Sequence, residues 1–450
     1  MRQLFTGWGR TAPTAAEEVD VDDVETVVKA LADPSPGGVV ARGLGRSYGD
    51  PAQNAGGTVL DMTGLSGVRA LDADEGVATV AGGTSLEDLM RWLLPLGWFV
   101  PVTPGTRFVT VAGAIASDVH GKGHHATGSF GNAVLSMEVV LPGGERRVLT
   151  PDGTADAFWA TTGGMGLTGT IVEATLRLLP VETSRMVVDT ERADDLDDLM
   201  SKMEAGDADY RYSAAWLDSL ARGRHLGRGV LTRGDHARLD QVPRRQRPQA
   251  RRFDPRTRIV APPWAPPGML NALTVGAFNE AWFRRHPVER RGEVQGITAF
   301  FHPLDGVAGW NRAYGPRGML QYQPVVPFGA EDVVRTIFER AANERLPSLV
   351  TVLKRFGPGN AGHLSFPMPG WTLNLDFPVG RPDLHGILDE LDELVLAAGG
   401  RVYLAKDSRM RPEHLPAMYP RLDEWRAVRS ELDPNGALTS DLNRRLRLTG

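Results

Sequence analysis

Val39-Val40-Ala41-Arg42-Gly43-Leu44-Gly45-Arg46-Ser47-Tyr48-Gly49-Asp50 is the stretch from which the rest of the chain is read. A short apolar run with strand character enters a loop with glycines at 43, 45 and 49. Glycine tolerates positive φ and lets backbone N–H groups approach an anion closely. Arg46 adds a fixed positive charge suited to phosphate. The loop therefore reads as a phosphate cradle, with an ordinary turn as the plainer alternative. It is not the dinucleotide fingerprint: Arg-Ser-Tyr-Gly follows the Gly-x-Gly, and Asp50-Pro51 and Gly56-Gly57 prevent a helix from starting behind it.

Composition narrows the class. A chain of 450 residues points to more than one domain. A formal net charge of -5 argues against general nucleic-acid affinity. With 0 cysteines, the chain forms no disulfide, thiolate metal site or cysteinyl cofactor link. The N-terminus lacks the apolar core of a signal peptide, and no apolar run has the length of a membrane span, so a cytoplasmic protein is expected.

Outward from the loop, valines spaced between acids predict an amphipathic helix over residues 16–32. Residues 58–62 and 77–81 read as short strands, and Thr84 or Ser85 as the cap of a helix running to about Leu96. Residues 134–141 and 145–149, joined by Pro142-Gly143-Gly144, form a hairpin. Gly163 to Gly169 is a second glycine-rich loop, feeding a strand over 170–179. Near Pro180 the character changes: a short strand at 186–189 and an acidic helix over about 193–204 mark a domain boundary. The mixture of short strands and helices is α+β.

Between Pro101 and Asn132 small residues crowd together, as they do where backbone approaches a flat ligand. His120, Lys122, His124 and His125 fall in this stretch and allow three readings: a metal site, a polar active-site wall, or a solvated loop. The arginine- and proline-rich run from 241 to 258, followed by Pro262-Pro263-Trp264-Ala265-Pro266-Pro267, is either a solvated mobile loop or a basic, aromatic-tipped lid for an anionic or lipid-bearing substrate. Alternation places Gln321 with Gln323, and Thr372 with Asn374, on single strand faces that meet either solvent or a polar ligand. Lys354 follows the same logic. Lys406, after an apolar strand, is by itself most simply a surface lysine; desolvated, it could take a hydroxyl proton.

Taken together, Gly43–Asp50, Val100–Thr106, Asp118–His125, Gly128–Asn132, Gly163–Gly169, Leu320–Gln323, Phe366–Trp371 and Ala405–Arg409 resemble one family in order and spacing. It is the decaprenylphosphoryl-β-D-ribose 2-oxidase family, within the vanillyl-alcohol-oxidase class of FAD enzymes. The resemblance implies an α+β, two-domain fold: an FAD-binding domain over 1–180, an antiparallel-sheet substrate domain over 181–395, and a C-terminal segment, 396–450, returning to the FAD domain. FAD is expected to be non-covalent, because Tyr48 stands where covalently flavinylated relatives commonly carry histidine.

Carried over residue by residue, the resemblance implies that Gly43, Gly45, Arg46, Ser47, Tyr48 and Gly49 hold the pyrophosphate. Pro104, Gly105, Thr106, Ser117, Asp118 and Gly121 would line the rest of the cofactor, with Gly128, Ser129, Asn132 and Gly166. Lys406 and His120 would be catalytic. Lys122, Trp216, Phe301, Arg312, Gln321, Gln323, Lys354, Thr372, Asn374 and Tyr403 would shape the substrate site, and no metal is implied. The partners implied are a sugar or lipid-linked sugar phosphate substrate and a keto-reductase, with peripheral membrane contact permitted by the basic segment and no nucleic acid. Three positions depart from the family pattern: Asn374 replaces a usual cysteine, Thr372 a usual asparagine and Phe301 a usual tyrosine. These changes leave open a second expectation, an FAD-dependent oxidase of another sugar, alditol or nucleoside-like alcohol.

Overall fold

The computed structural model describes residues 1–263, 265–266 and 268–450. Trp264 and Pro267, part of the expected lid tip, lie outside the described residues. Two sheets make up the first lobe. In the smaller, the strands run in the order Arg2–Phe5, Thr14–Asp20, Thr58–Asp61, Val39–Arg42, and the last three are parallel. In the larger, Val68–Asp72, Val77–Ala81, Thr170–Arg177, Val134–Val140 and Arg146–Leu149 are all antiparallel neighbours. Ser85 caps the helix Leu86–Leu93 by accepting from the Asp88 amide. That helix buries Leu86, Leu89, Met90 and Leu93 at the three- and four-residue spacing of one helix face.

One expectation fails here. Residues 16–32 are not a single helix: Thr14–Asp20 is a strand and only Val24–Ala32 is helical. Val19 and its acidic neighbours suit either period, and pairing with Thr58–Asp61 selects the strand. Asp23 then caps the helix by accepting from the Thr26 amide.

The second lobe is built on a nine-stranded antiparallel sheet. Its path runs Glu289–Gly296, Arg185–Ala193, Gly229–His236, Tyr212–Leu217, Val352–Phe356, Gly370–Pro378, Pro324–Pro327, Arg401–Val402, with Met319–Tyr322 also paired to Gly370–Pro378. The helices Glu331–Asn343 and Leu384–Ala397 cover one face through Val334, Ile337, Phe338, Leu388 and Leu391. Gly370–Pro378 is buried on both faces from Gly370 to Phe377, which puts Thr372, Asn374 and Asp376 inside the protein. Of the two alternatives for the polar faces of these strands, the solvent-facing one is excluded.

Residues 401–450 join the lobes. Arg401–Val402 completes the large sheet, and the Tyr403 amide donates to the Gln323 carbonyl at 3.0 Å. Two residues on, the Ala405 carbonyl accepts from the Tyr48 amide of the glycine loop at 3.0 Å. Arg445 clamps the junction, donating to both carboxylate oxygens of Asp50 and to Asp407. The segment 241–258 is solvated and tethered, and part of the tip of the expected lid lies outside the described residues. It carries a short 3₁₀ helix, Arg244–Gln249, and Ser184 anchors it by donating from its amide and hydroxyl to the Ala250 carbonyl. Among the described residues, no helix is long and apolar enough to cross a membrane.

Candidate active site

A cavity of about 1070 Å³ lies between the lobes. That is at or above the size that encloses one drug-sized ligand, roughly 300–1,000 Å³, and leaves room for a large ligand together with a second one. Its first-lobe wall is the loop Gly43–Tyr48, residues 103–106, and Ser117, His120, Gly121, Lys122 and Gly166. Facing these are Trp216, Phe301, Gln321, Gln323, Lys354, Asn374, Tyr403 and Lys406. Residues expected to act together, although spread over most of the chain, thus share one space.

The first-lobe wall has the form of an anion cradle. The amide N–H groups from Leu44 to Ser47, half-buried to exposed along the cavity wall, find no acceptor among the described residues and are free to meet an anion there. A Cβ added at Gly43 would meet the Thr110 hydroxyl at 2.3 Å, so the loop backbone lies tight against its support. At Gly105 and Gly166 a Cβ would meet nothing within 4 Å, so these glycines face open space. Arg46 lies over the Trp8 ring at 3.9 Å and donates to the Phe108 carbonyl at 3.2 Å, fixing its charge at the rim. These features fit a flat, phosphate-bearing cofactor.

Three lysines from the two walls converge on the cavity, and none rests on a carboxylate. Lys406 Nζ stands over the Tyr48 ring at 3.9 Å, and Lys122 Nζ over Phe300 at 4.2 Å. Lys354 Nζ faces His120 Nδ1 at 3.4 Å. Burial lowers Lys406 and Lys122 to about 8, and burial with the neighbouring lysine charges lowers Lys354 to about 7. Burial and those same ammonium groups hold His120 well below its usual range, so its imidazole is neutral. Its ring nitrogens face Lys354 and, at 2.9 Å, the Gln323 amide, which Thr372 supports from behind at 3.5 Å. Tyr403 stacks on Phe366 at 4.6 Å and donates its hydroxyl to the Ser117 carbonyl at 2.7 Å. A ring of ammonium groups around a neutral imidazole suits an anionic substrate that loses a proton.

Several expected site residues lie away from the cavity wall. Asp118 is fully buried and accepts from the Ser129 hydroxyl, the Gly131 amide, Asn360 and Ser365. Together with Gly128 and Asn132, which close the same turn, Asp118 and Ser129 form a knot that fixes the position of the 119–122 wall. Gly49 packs against the Asp407 carbonyl, Thr372 sits behind Gln323, and Arg312 donates to the Ala261 carbonyl. Of the run 241–258, only Thr257 reaches the cavity. The outer mouth is instead lined by Phe278, Trp282 and Arg285 of the helix Ala272–Arg285, and by Arg290. Sequence reasoning missed these; the only signal was an aromatic–arginine spacing along a helix that the proline-rich run before it obscured.

Residues 16–150 match the model of an FAD binding domain, and residues 378–446 that of D-arabinono-1,4-lactone oxidase. The chain is 46% identical over 447 residues to the decaprenylphosphoryl-β-D-ribose oxidase of Mycolicibacterium smegmatis, covering 98% of this chain and 97% of that one. It is 44% identical over 375 residues to an uncharacterised Streptomyces coelicolor protein, covering 81% of this chain and 100% of that one. A cytokinin dehydrogenase of Oryza sativa is 30% identical over 183 residues, 38% of this chain and 35% of the relative.

Proposed function

From the premise that this chain belongs to the decaprenylphosphoryl-β-D-ribose oxidase family of FAD-linked oxidases, we propose that it oxidises the ribose C2 hydroxyl of a polyprenylphosphoryl-β-D-ribose to the 2-keto sugar. The observation that carries this is the meeting of three carboxylate-free lysines with a glycine-walled anion cradle in one cavity. Bound FAD supplies the two-electron oxidant. Gly43 to Tyr48, Pro104 to Thr106, Ser117, Gly121 and Gly166 are the residues that would hold it.

The chain's own groups handle the proton and the charge. Lys406, lowered to about 8, is neutral in roughly a tenth of molecules at pH 7, and in that form it takes the C2 hydroxyl proton. Lys354 and Lys122 receive the substrate phosphate, which supplies the counter-charge that these two lysines lack. Neutral His120, set between Lys354 and Gln323, orients a sugar hydroxyl. Trp216 and Trp282, with ring centroids 6.4 Å apart, and Phe278 make an apolar exit for the prenyl chain. Leu273, at the start of the helix Ala272–Arg285, is 78% exposed, and Val288, just after it and near Arg284, Arg285 and Arg290 in sequence, is 67% exposed; these apolar and basic groups suit peripheral contact with an anionic lipid surface.

The 2-keto product calls for a partner keto-reductase to complete an epimerisation to the arabinose form. The same reading divides the chain at about 180 and 395, with residues 396–450 returning to the FAD domain. With no cysteine in the chain and Tyr48 in the glycine loop, FAD is held without a covalent bond. The match to D-arabinono-1,4-lactone oxidase touches the cavity wall only at Tyr403, Ala405 and Lys406, so it carries no information on the sugar.

The test is an anaerobic mixture of the yellow protein with a short-chain polyprenylphosphoryl ribose, followed by visible absorbance. Rapid bleaching is expected. A flavin reduced normally by dithionite but untouched by this substrate would refute the assignment and point to Phe301, Thr372 and Asn374 as determinants of another specificity.

A further inference from the structure

Behind the wall that carries Lys406 lies a carboxylate that the proposed reaction does not use. Asp376 sits on the buried strand Gly370–Pro378, directly opposite Gln321 in the ladder, and is 0% exposed. Its Oδ1 accepts from the Gln321 amide, its backbone amide donates to the Ser348 hydroxyl at 2.9 Å, and its Oδ2 has no partner. An unpartnered buried carboxylate oxygen is expensive, and its presence needs an explanation beyond packing.

The groups around it supply one. Gln321 lies between Asp376 and the Tyr48 hydroxyl, and the face of the Tyr48 ring carries Lys406 Nζ. Tyr314, whose hydroxyl is also unpartnered, is a further polar neighbour, and burial keeps both tyrosines protonated. Lys406 is the one charged group acting on Asp376 among the described residues. On its cavity side Lys406 faces the ammonium of Lys354 and neutral His120. Asp376 is thus the single negative charge set against the cluster of lysines at the reacting end of the cavity.

We propose that Asp376 is a positioning residue that sets the proton affinity of Lys406 through the buried arrangement Asp376–Gln321–Tyr48. Without it, the ammonium form of Lys406 loses its only compensating charge, and the lysine deprotonates at lower pH. Burial raises Asp376 itself to about 7, so its charge weakens below neutrality and the two groups titrate as a coupled pair.

The proposal rests on the role given to Lys406 above, and its test separates the two. In the holoenzyme, Lys406 is labelled with a small amine-acylating reagent across a pH series, and its modification is read by peptide mass mapping, with no substrate present. The substitutions are Asp376→Asn and Asp376→Ser, which remove the charge at different sizes, and Asp376→Glu, which keeps it. The neutral variants are expected to move the Lys406 midpoint down by on the order of one unit, a tenfold gain in free amine below the midpoint, whereas Glu leaves it near the parent value. The acid limb of the flavin-bleaching rate should move by the same amount. An unchanged labelling midpoint in a folded neutral variant overturns the proposal. So does failure of both neutral variants to fold while Asp376→Glu folds, because the carboxylate then belongs to the architecture alone. A midpoint that moves while no ribose substrate bleaches the flavin would uphold the coupling and remove only the substrate assignment.

Discussion

Replacing Gly49 with alanine inserts one methyl group at the junction of the glycine loop and the C-terminal segment. The added Cβ would lie 1.8 Å from the Asp407 carbonyl oxygen and 2.7 Å from its carbon, which are backbone atoms with no rotamer to yield. The strain is one of contact, since no left-handed backbone is involved at this glycine. The loop on the other side cannot retreat freely either: the Gly49 carbonyl is packed against Gly7, where a Cβ would meet it at 2.0 Å. Relief therefore means parting residues 48–50 from 405–408, stretching the Tyr48–Ala405 hydrogen bond and tilting the Arg445 clamp on Asp50 and Asp407. Overpacking of this kind costs about 1–3 kcal/mol, and loss of the backbone bond adds about 1 kcal/mol, for a total of about 2–4 kcal/mol. The transition to follow is the release of flavin fluorescence on heating, because a protein with two lobes need not unfold in one step. A fall of roughly 5–10 °C is expected, together with weaker FAD retention on dilution. A Gly49→Ala protein that releases its flavin at the parent temperature and bleaches at the parent rate would refute the claim that this contact holds the site together.

Other outcomes follow from the same geometry. The rate of flavin reduction should climb as pH rises through about 8, because the base proposed here, Lys406, would act in its neutral form and its burial places the proton loss there; a flat profile from pH 6 to 9 would contradict this. Lys406→Arg, which stays charged, should lose at least about a hundredfold in that rate while keeping its yellow colour. Lys354→Met should raise the KM for the phosphate substrate and at the same time raise the unfolding temperature. The sign follows from its lowered value of about 7: the unfolded chain binds more protons there than the native one, so near neutrality the buried lysine is a cost to the fold. Acid precipitation should leave FAD in the supernatant and a colourless pellet. With Asn374 at the position where the resemblance leads one to expect a cysteine, and no thiol elsewhere in the chain, the intact mass should be unchanged after turnover in the presence of a thiol-trapping compound.

What the sequence disclosed, and what it hid, follows the reach of the forces involved. The glycine loop at 43–49, the hairpin at 134–149 and the Ser85 cap are local devices, and each is found where its residues promise it. The resemblance brought Lys406, His120, Gln323 and Lys354 to one place, which no local periodicity could do. The resemblance put Asp118 and Ser129 among the cofactor contacts, yet their partners Asn360 and Ser365, far along the chain, hold them away from the cavity wall. Residues 16–20 became a strand only because a distant strand was there to pair with. Asp376 gave no signal in an apolar-looking strand, since its meaning depends wholly on what Gln321 and Tyr48 face.

The attachment of Lys406 to both lobes also has a consequence in time. The proposed base, the two carbonyl contacts beside it and the Arg445 clamp all involve residues after 400, which a ribosome makes later than most of both lobes. Domains generally fold as units during synthesis, N-terminal ones first, so most of the cavity wall can exist before the proposed base has been made. A nascent or truncated chain is then a flavin holder without chemistry. The proposed reaction then becomes possible only when residues 401–450 seat, and the presence of that segment serves as the licence for turnover.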